Sequence, residues 1–160
     1  MSRESDFYGG AMAYPIKCPK CPEESYPANI VELIDKHTNK KGELVCEFCG
    51  RAGAYVYQES ALQEKGKEWK RYYKGIVPLP SRDRWYSPYA WLVADAPRAR
   101  ARAIQLCYYK DLRPDGGKLK HGHGPGGTPV LGKRELLHLL RRLAAYGVLT
   151  KSDVKSIFPR

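Results

Sequence analysis

Four cysteines in two matched pairs, Cys18-Pro-Lys-Cys21 and Cys46-Glu-Phe-Cys49, constrain this chain of 160 residues more than any other feature. A gap of two residues lets both sulfurs of one tight turn point at the same ion. The 24 residues between the pairs are enough for a hairpin that returns the second turn to the first. Four thiolates so gathered suit a tetrahedral metal, and the spacing predicts one structural Zn2+ held by Cys18, Cys21, Cys46 and Cys49. A redox pair of thioredoxin type needs one Cys-x-x-Cys beside a βαβ unit, so two pairs argue against it. A site closed by four cysteines keeps no open position for water or substrate, and accounts for folding rather than for a reaction. The fifth cysteine, Cys107, stands among Ile104, Leu106 and Tyr108 and reads as a small buried hydrophobe.

Before Cys18 the first fourteen residues are polar and without period, as in a loose tail. Between the pairs, Ile30, Val31, Leu33 and Ile34 would suit one face of a helix begun by Pro27. Their β-branching and the turn-like Thr38-Asn-Lys-Lys-Gly42 favour instead a hairpin returning through Glu43-Leu44-Val45. Ala54 to Gln58 alternates as a third strand. A three-stranded antiparallel sheet with two metal knuckles resembles the zinc-ribbon family, and Cys18-Pro-Lys-Cys21 and Cys46-Glu-Phe-Cys49-Gly50 carry the resemblance over residues 15–60. It implies a fold and a zinc ion. It implies no one function, because that family serves transcription, translation, replication and many enzymes. Pro22 stands where the first knuckle of the family usually has glycine.

The net charge of +11 is unevenly spread. Residues 1–64 hold 7 Lys/Arg against 10 Asp/Glu, residues 65–120 hold 14 against 5, and residues 121–160 hold 7 against 2. All the positive excess therefore follows the cysteine module, which places a polyanion-binding surface within residues 65–142 and leaves the acidic module to brace the fold or meet a protein. No apolar run reaches the length of a membrane span and no secretory leader is evident, so the expectation is a cytoplasmic protein without a membrane partner.

Within that basic region three stretches stand out. Lys67 to Lys74 interleaves rings with cations. As a strand it places Trp69, Arg71 and Tyr73 on one face and Lys70, Tyr72 and Lys74 on the other, the chemistry of a single-strand stacking platform or of an ordinary strand with its rings in the core. Arg98, Arg100 and Arg102 alternate with alanines; on a strand their guanidiniums project together, and on a helix begun by Pro97 they fan apart. Residues 114–128 form a Gly-rich loop with Lys118, Lys120, His121 and His123. It suits an anion, but it has neither the Walker spacing nor a strand-to-helix GxGxxG setting. Arg84 to Val93, running into an apolar segment, reads as core.

Leu136, Leu137, Leu139, Leu140 and Leu143 mark a helix from about Lys133 to Tyr146, Gly147 suits its cap, and Thr150 with Asp153 caps a second helix. Leu140-x-x-Leu143-x-x-x-Gly147-Val-Leu-Thr150-x-x-Asp153-Val154 resembles the short C-terminal helical hairpins called SHOCT domains, which implies oligomerisation or partner docking. The expected architecture is α+β. It comprises a tail (1–14), a small zinc ribbon (15–60), a basic β-rich region (61–130) and a C-terminal helical hairpin (131–160). The expected function is non-specific contact with RNA or single-stranded DNA through the basic region, and no reaction is favoured. A protein-assembly module using the acidic ribbon and hairpin is one alternative. An enzyme on a phosphorylated substrate using the His/Gly loop is another, though no nucleophile and base are arranged there.

Overall fold

The alternation that runs through the middle of the chain becomes strands. The computed structural model describes residues 15–62, 67–81, 84–122, 130–145 and 149–157. Its elements are β1 (Ile16–Lys17), β2 (Glu24–Ser25), α1 (Ile30–His37), β3 (Tyr55–Leu62), β4 (Lys67–Pro78), β5 (Tyr86–Ala94), β6 (Ala103–Asp111), β7 (Leu119–Gly122), β8 (Val130–Gly132), α2 (Lys133–Ala145) and α3 (Lys151–Ile157). Seven strands lie in the order β2-β1-β3-β4-β5-β6-β7, each antiparallel to its neighbours. The fold is thus mixed and strand-rich, with few helices. One compact unit ends at Val130 and a second begins at Leu131.

Period 2 decides which side chains are buried. Ile16, Val56 and Tyr73 are partners across β1, β3 and β4 and all three are buried, whereas Tyr55, Tyr57 and Tyr72 occupy the opposite face and stay partly exposed. Ile30, Leu33, Leu44 and Cys46 join the same core as Trp91, Val93, Cys107 and Leu119, so the cysteine module and the long strands share one hydrophobic cluster. The stretch over residues 84–93, expected to be core, forms β5, with Tyr89, Ala90, Trp91 and Val93 buried.

The hairpin expected over residues 30–45 is corrected at its first half, which is helix α1. Asn29 caps it: its Oδ1 accepts the N–H groups of Val31 and Glu32, both at 3.0 Å, and the Glu32 carboxylate accepts the Ala28 N–H. That reciprocal capping fills orphan amides of the first turn and offsets the modest helix propensity of Ile30, Val31 and Ile34. The turn at residues 38–42 does form, with the Gly42 N–H donating to Asn39 O at 2.8 Å.

Past this turn the chain docks on β4. Leu44 N–H donates to Lys74 O at 2.9 Å and Ile76 N–H to Gly42 O at 2.7 Å, while Glu43 bridges Gly75. A side chain on Gly75 would overlap the Gly42 carbonyl, and one on Gly42, at φ +77°, would stand 2.7 Å from Ile76 O. The β4–β5 register shifts between Tyr73 and Gly75, so Lys74 sits in a bulge.

Two further expectations change. Residues 98–102 form neither strand nor helix: they belong to the connection after β5, where Ala99 N–H turns back on Ala96 O and Arg102 N–H reaches Val93 O. Alanine at alternate positions and a proline at the start give that segment little to pair or pack with. Part of the expected Gly-rich loop is the strand β7, paired with β6, and His123 lies outside the described residues. Helices α2 and α3 lie where the sequence places them; Gly147 falls outside the described residues. Among the described residues no helix is long and apolar enough to cross a membrane.

Candidate metal centre and an adjoining basic groove

The cysteines lie at the ends of short elements that tie them to the core. Cys18 leaves β1, Cys21 precedes β2, and buried Cys46 follows Val45, whose N–H donates to His37 O at the end of α1. The second knuckle closes through Gly50 N–H to Cys46 O at 2.8 Å and Cys46 N–H to Arg51 O at 3.0 Å, with Gly50 at φ +67°. In the first, Lys20 N–H donates to Cys18 Sγ at 3.4 Å. All four sulfurs lie within 4.8 Å of one another, and Cys18 and Cys49 are 3.9 Å apart.

These distances can be tested against a metal. A tetrahedral tetrathiolate with bonds of about 2.3 Å has sulfur–sulfur edges of about 3.8 Å, close to the Cys18–Cys49 separation. A disulfide would need about 2.05 Å. Hydrogen bonding to Cys49, burial, and contacts with Cys46 and Cys18 push the Cys21 thiol up to about 12. Ionising Cys21 therefore calls for a compensating cation, which a divalent metal supplies. The donor set fits.

Beside the cysteines opens a groove of about 690 Å³. Lys20 and Arg51 enter it from the two knuckles, Lys74 from the bulge, and Arg98 and Arg100 from the β5–β6 connection, with Glu43 the acidic side chain of the lining. Lys74 is anchored in this lining. Its ammonium donates to Gly53 O at 2.8 Å and to Pro97 O at 2.5 Å, and stands 5.1 Å from the Tyr55 ring centre. Burial holds its pKa below the usual lysine range, while the Cys18 sulfur pulls the other way.

The other basic and aromatic positions go elsewhere. Tyr73 is 4 % exposed, donates to Gln105 Oε1 at 2.8 Å and packs 4.9 Å from Trp91, so this ring belongs to the core and cannot stack on a base. Arg71 reaches the same Gln105 at 3.4 Å. Trp69 is placed on β4 opposite Ser60, and Lys70, opposite Glu59, is exposed. Arg102 is exposed outside the groove lining. Lys118 and Lys120 are exposed, and Lys120 and His121 lie on β7, three strands away from β4 in the sheet order.

Thus Lys74, Arg98 and Arg100 come together, while Arg102, Lys118 and Lys120 do not join them. Lys20 and Arg51 are the groove residues that the charge census hides, because the acids around them make residues 1–64 net negative. The available signal is their position, Lys20 between the first two cysteines and Arg51 two residues after the fourth. No family model, curated protein or solved structure matches the chain.

Proposed function

We propose that the protein binds one structural zinc ion through Cys18, Cys21, Cys46 and Cys49 and contacts nucleic acid, without sequence preference, through its basic surface. The observation that carries the nucleic-acid reading is the convergence of Lys20, Arg51, Lys74, Arg98 and Arg100 on one groove. Phosphate binding needs cations at the contact surface, and five of them on one concavity concentrate positive potential there. The zinc orders the two turns that present Lys20 and Arg51. It has no role as a Lewis acid, since four cysteines close its coordination.

Salt dependence tests the reading. For a single strand the slope of log K against log salt is about −0.7 per neutralised phosphate, so a five-cation groove gives at most about −3.5. The Arg98→Ala/Arg100→Ala variant should weaken binding and flatten the slope by about 1.4. Absence of binding to any DNA or RNA at about 50 mM salt refutes the reading. Elemental analysis that finds iron, or no metal, refutes the zinc assignment.

A second reading, assembly with a protein partner or another copy, rests on α2. Leu137, Leu139 and Leu140 are 38–41 % exposed there, and apolar surface on an amphipathic helix favours association. Light scattering on the nuclease-treated protein checks it: a monomer that purifies free of partners argues against it.

A further inference from the structure

The face of β3 and β4 opposite the core carries a row of tyrosines. Tyr55 and Tyr57 are two residues apart and share that face, and the register sets Tyr72 directly opposite Tyr57. The rings touch: centroids are 5.1 Å apart for Tyr57 and Tyr72 and 5.5 Å for Tyr55 and Tyr72. All three remain partly exposed, in contrast to Tyr73 on the core face. Lys74 lies above the Tyr55 ring at one end of the row, and at the other exposed Lys70, one alternation beyond Tyr72, stands opposite Glu59. Lys74 also lines the groove, so the tyrosine row begins at the groove wall.

We infer that Tyr55, Tyr57 and Tyr72 form a base-stacking platform for an unpaired nucleic-acid strand whose phosphates lie in the basic groove. The inference rests on the nucleic-acid reading above and specifies its substrate as single-stranded. Every base has a π-face, so stacking on tyrosine is tolerant of sequence, and cations beside the rings hold the backbone. Tyr55 and Tyr57 leave β3 about 7 Å apart along the backbone, and both rings pack against Tyr72, so bases would stack on the outward faces of the group rather than between its rings. In a duplex the bases already stack on one another and cannot reach these rings, so only the groove contacts remain to it. The interleaving of rings and cations visible in Lys67 to Lys74 is thus placed on the Lys70, Tyr72, Lys74 side of β4, with β3 supplying two of the three rings.

The test compares a fluorescein-labelled 12-residue oligo-uridine with a 12-base-pair duplex by anisotropy at about 50 mM salt. Tyr57→Ala/Tyr72→Ala should bind the strand at least 10-fold more weakly, since losing a stacked base costs about 5- to 150-fold, and should bind the duplex unchanged. Tyr57→Phe/Tyr72→Phe should stay within about two-fold of the parent on both probes, because the rings persist. Tyr57→Leu/Tyr72→Leu preserves apolar cover over the strands and removes stacking; it serves if the alanine pair misfolds by circular dichroism, and should show the same selective loss. Equal losses on strand and duplex, or none on either, overturn the platform. If Arg98→Ala/Arg100→Ala then still weakens both probes, the groove reading survives that failure. A parent protein that binds neither probe defeats both.

Discussion

Gly75→Ala perturbs a close backbone contact between the cysteine module and the long strands. The backbone at Gly75 is not among the positive-φ glycines, so alanine brings no conformational strain of its own; what it brings is a methyl group directed into the Gly42 carbonyl. Leu92 Cδ1, 3.0 Å from that methyl, is a side-chain end that can give way, but the Gly42 carbonyl is backbone, and the segments must separate. Separation breaks the Leu44 N–H to Lys74 O and Ile76 N–H to Gly42 O bonds, each worth about 1 kcal/mol, and adds an overpacking cost of about 1–3 kcal/mol. The expected loss is about 3–5 kcal/mol in all, a large share of a typical domain's stability.

Urea unfolding followed by tryptophan fluorescence reads this directly, since Trp91 packs in the shared core beside Tyr73. With a slope of about 2 kcal/mol per molar, the midpoint should fall by about 1.5–2.5 M. Release of metal to a chromogenic chelator should quicken in parallel, because Cys46 follows the displaced Leu44 by two residues. Gly53→Ala is the control. Gly53 has φ +99° but nothing within 4 Å of its added methyl, so it should cost about 1–2 kcal/mol from backbone strain alone. A Gly75→Ala midpoint within about 0.3 M of the parent, or equal effects from the two variants, would show that the close approach of Gly42 and Gly75 does not anchor the module.

Asn29→Ala removes the cap of α1 and should cost about 1 kcal/mol in urea unfolding, whereas Asn29→Asp should retain most of the stability. At α3 the Asp153 carboxylate accepts the Thr150 N–H at 2.7 Å and the Thr150 hydroxyl at 2.6 Å, and these bonds hold its pKa below the ordinary aspartate value. A depressed folded-state pKa means that the cap stabilises fully above the unfolded value and is lost as pH falls through the folded one. A carboxyl titration by nuclear magnetic resonance should show this low midpoint, and Thr150→Ala should move it back toward the ordinary value.

Strand β4 is legible from the sequence because it depends on its own alternation over Lys67 to Lys74, whereas Arg84 to Val93 reads as core from its apolar run and becomes β5 by pairing with β4 and β6. Helix α1 is harder to read, since Ile30, Val31 and Ile34 favour a strand locally and the opposing signal is the capping pair Asn29 and Glu32. The metal ligands are legible because two-residue spacing is itself geometry. The groove is not. It depends on a bulge at Lys74, on Gly42 lying against Gly75, and on the connection after β5 folding back through Lys74 to Pro97. These are long-range placements that no window of neighbouring residues encodes. Likewise the face of β4 that enters the core is fixed by Trp91 and Gln105, its partners from two other strands.

The same groove cations have a competing electrostatic role, and metal removal separates the two. A divalent ion on four thiolates carries a net charge of about −2, so Lys20, Arg51 and Lys74 can also act as its counter-charges. With the metal bound, five cations set against that charge and Glu43 leave the groove about two charges positive. Without it, four neutral thiols would leave the groove about four charges positive. If charge alone governed affinity, stripping the metal would strengthen binding to a polyanion. If the knuckles must hold Lys20 and Arg51 in place, stripping it would weaken binding despite the added positive charge. The expected outcome is weakening after chelation, restored by re-addition of zinc, with a shallower salt slope in the stripped protein because fewer phosphates are neutralised together. Tighter binding after chelation would leave the knuckles without a part in shaping the groove, and would reduce the two pairs of cysteines to fastenings of the core.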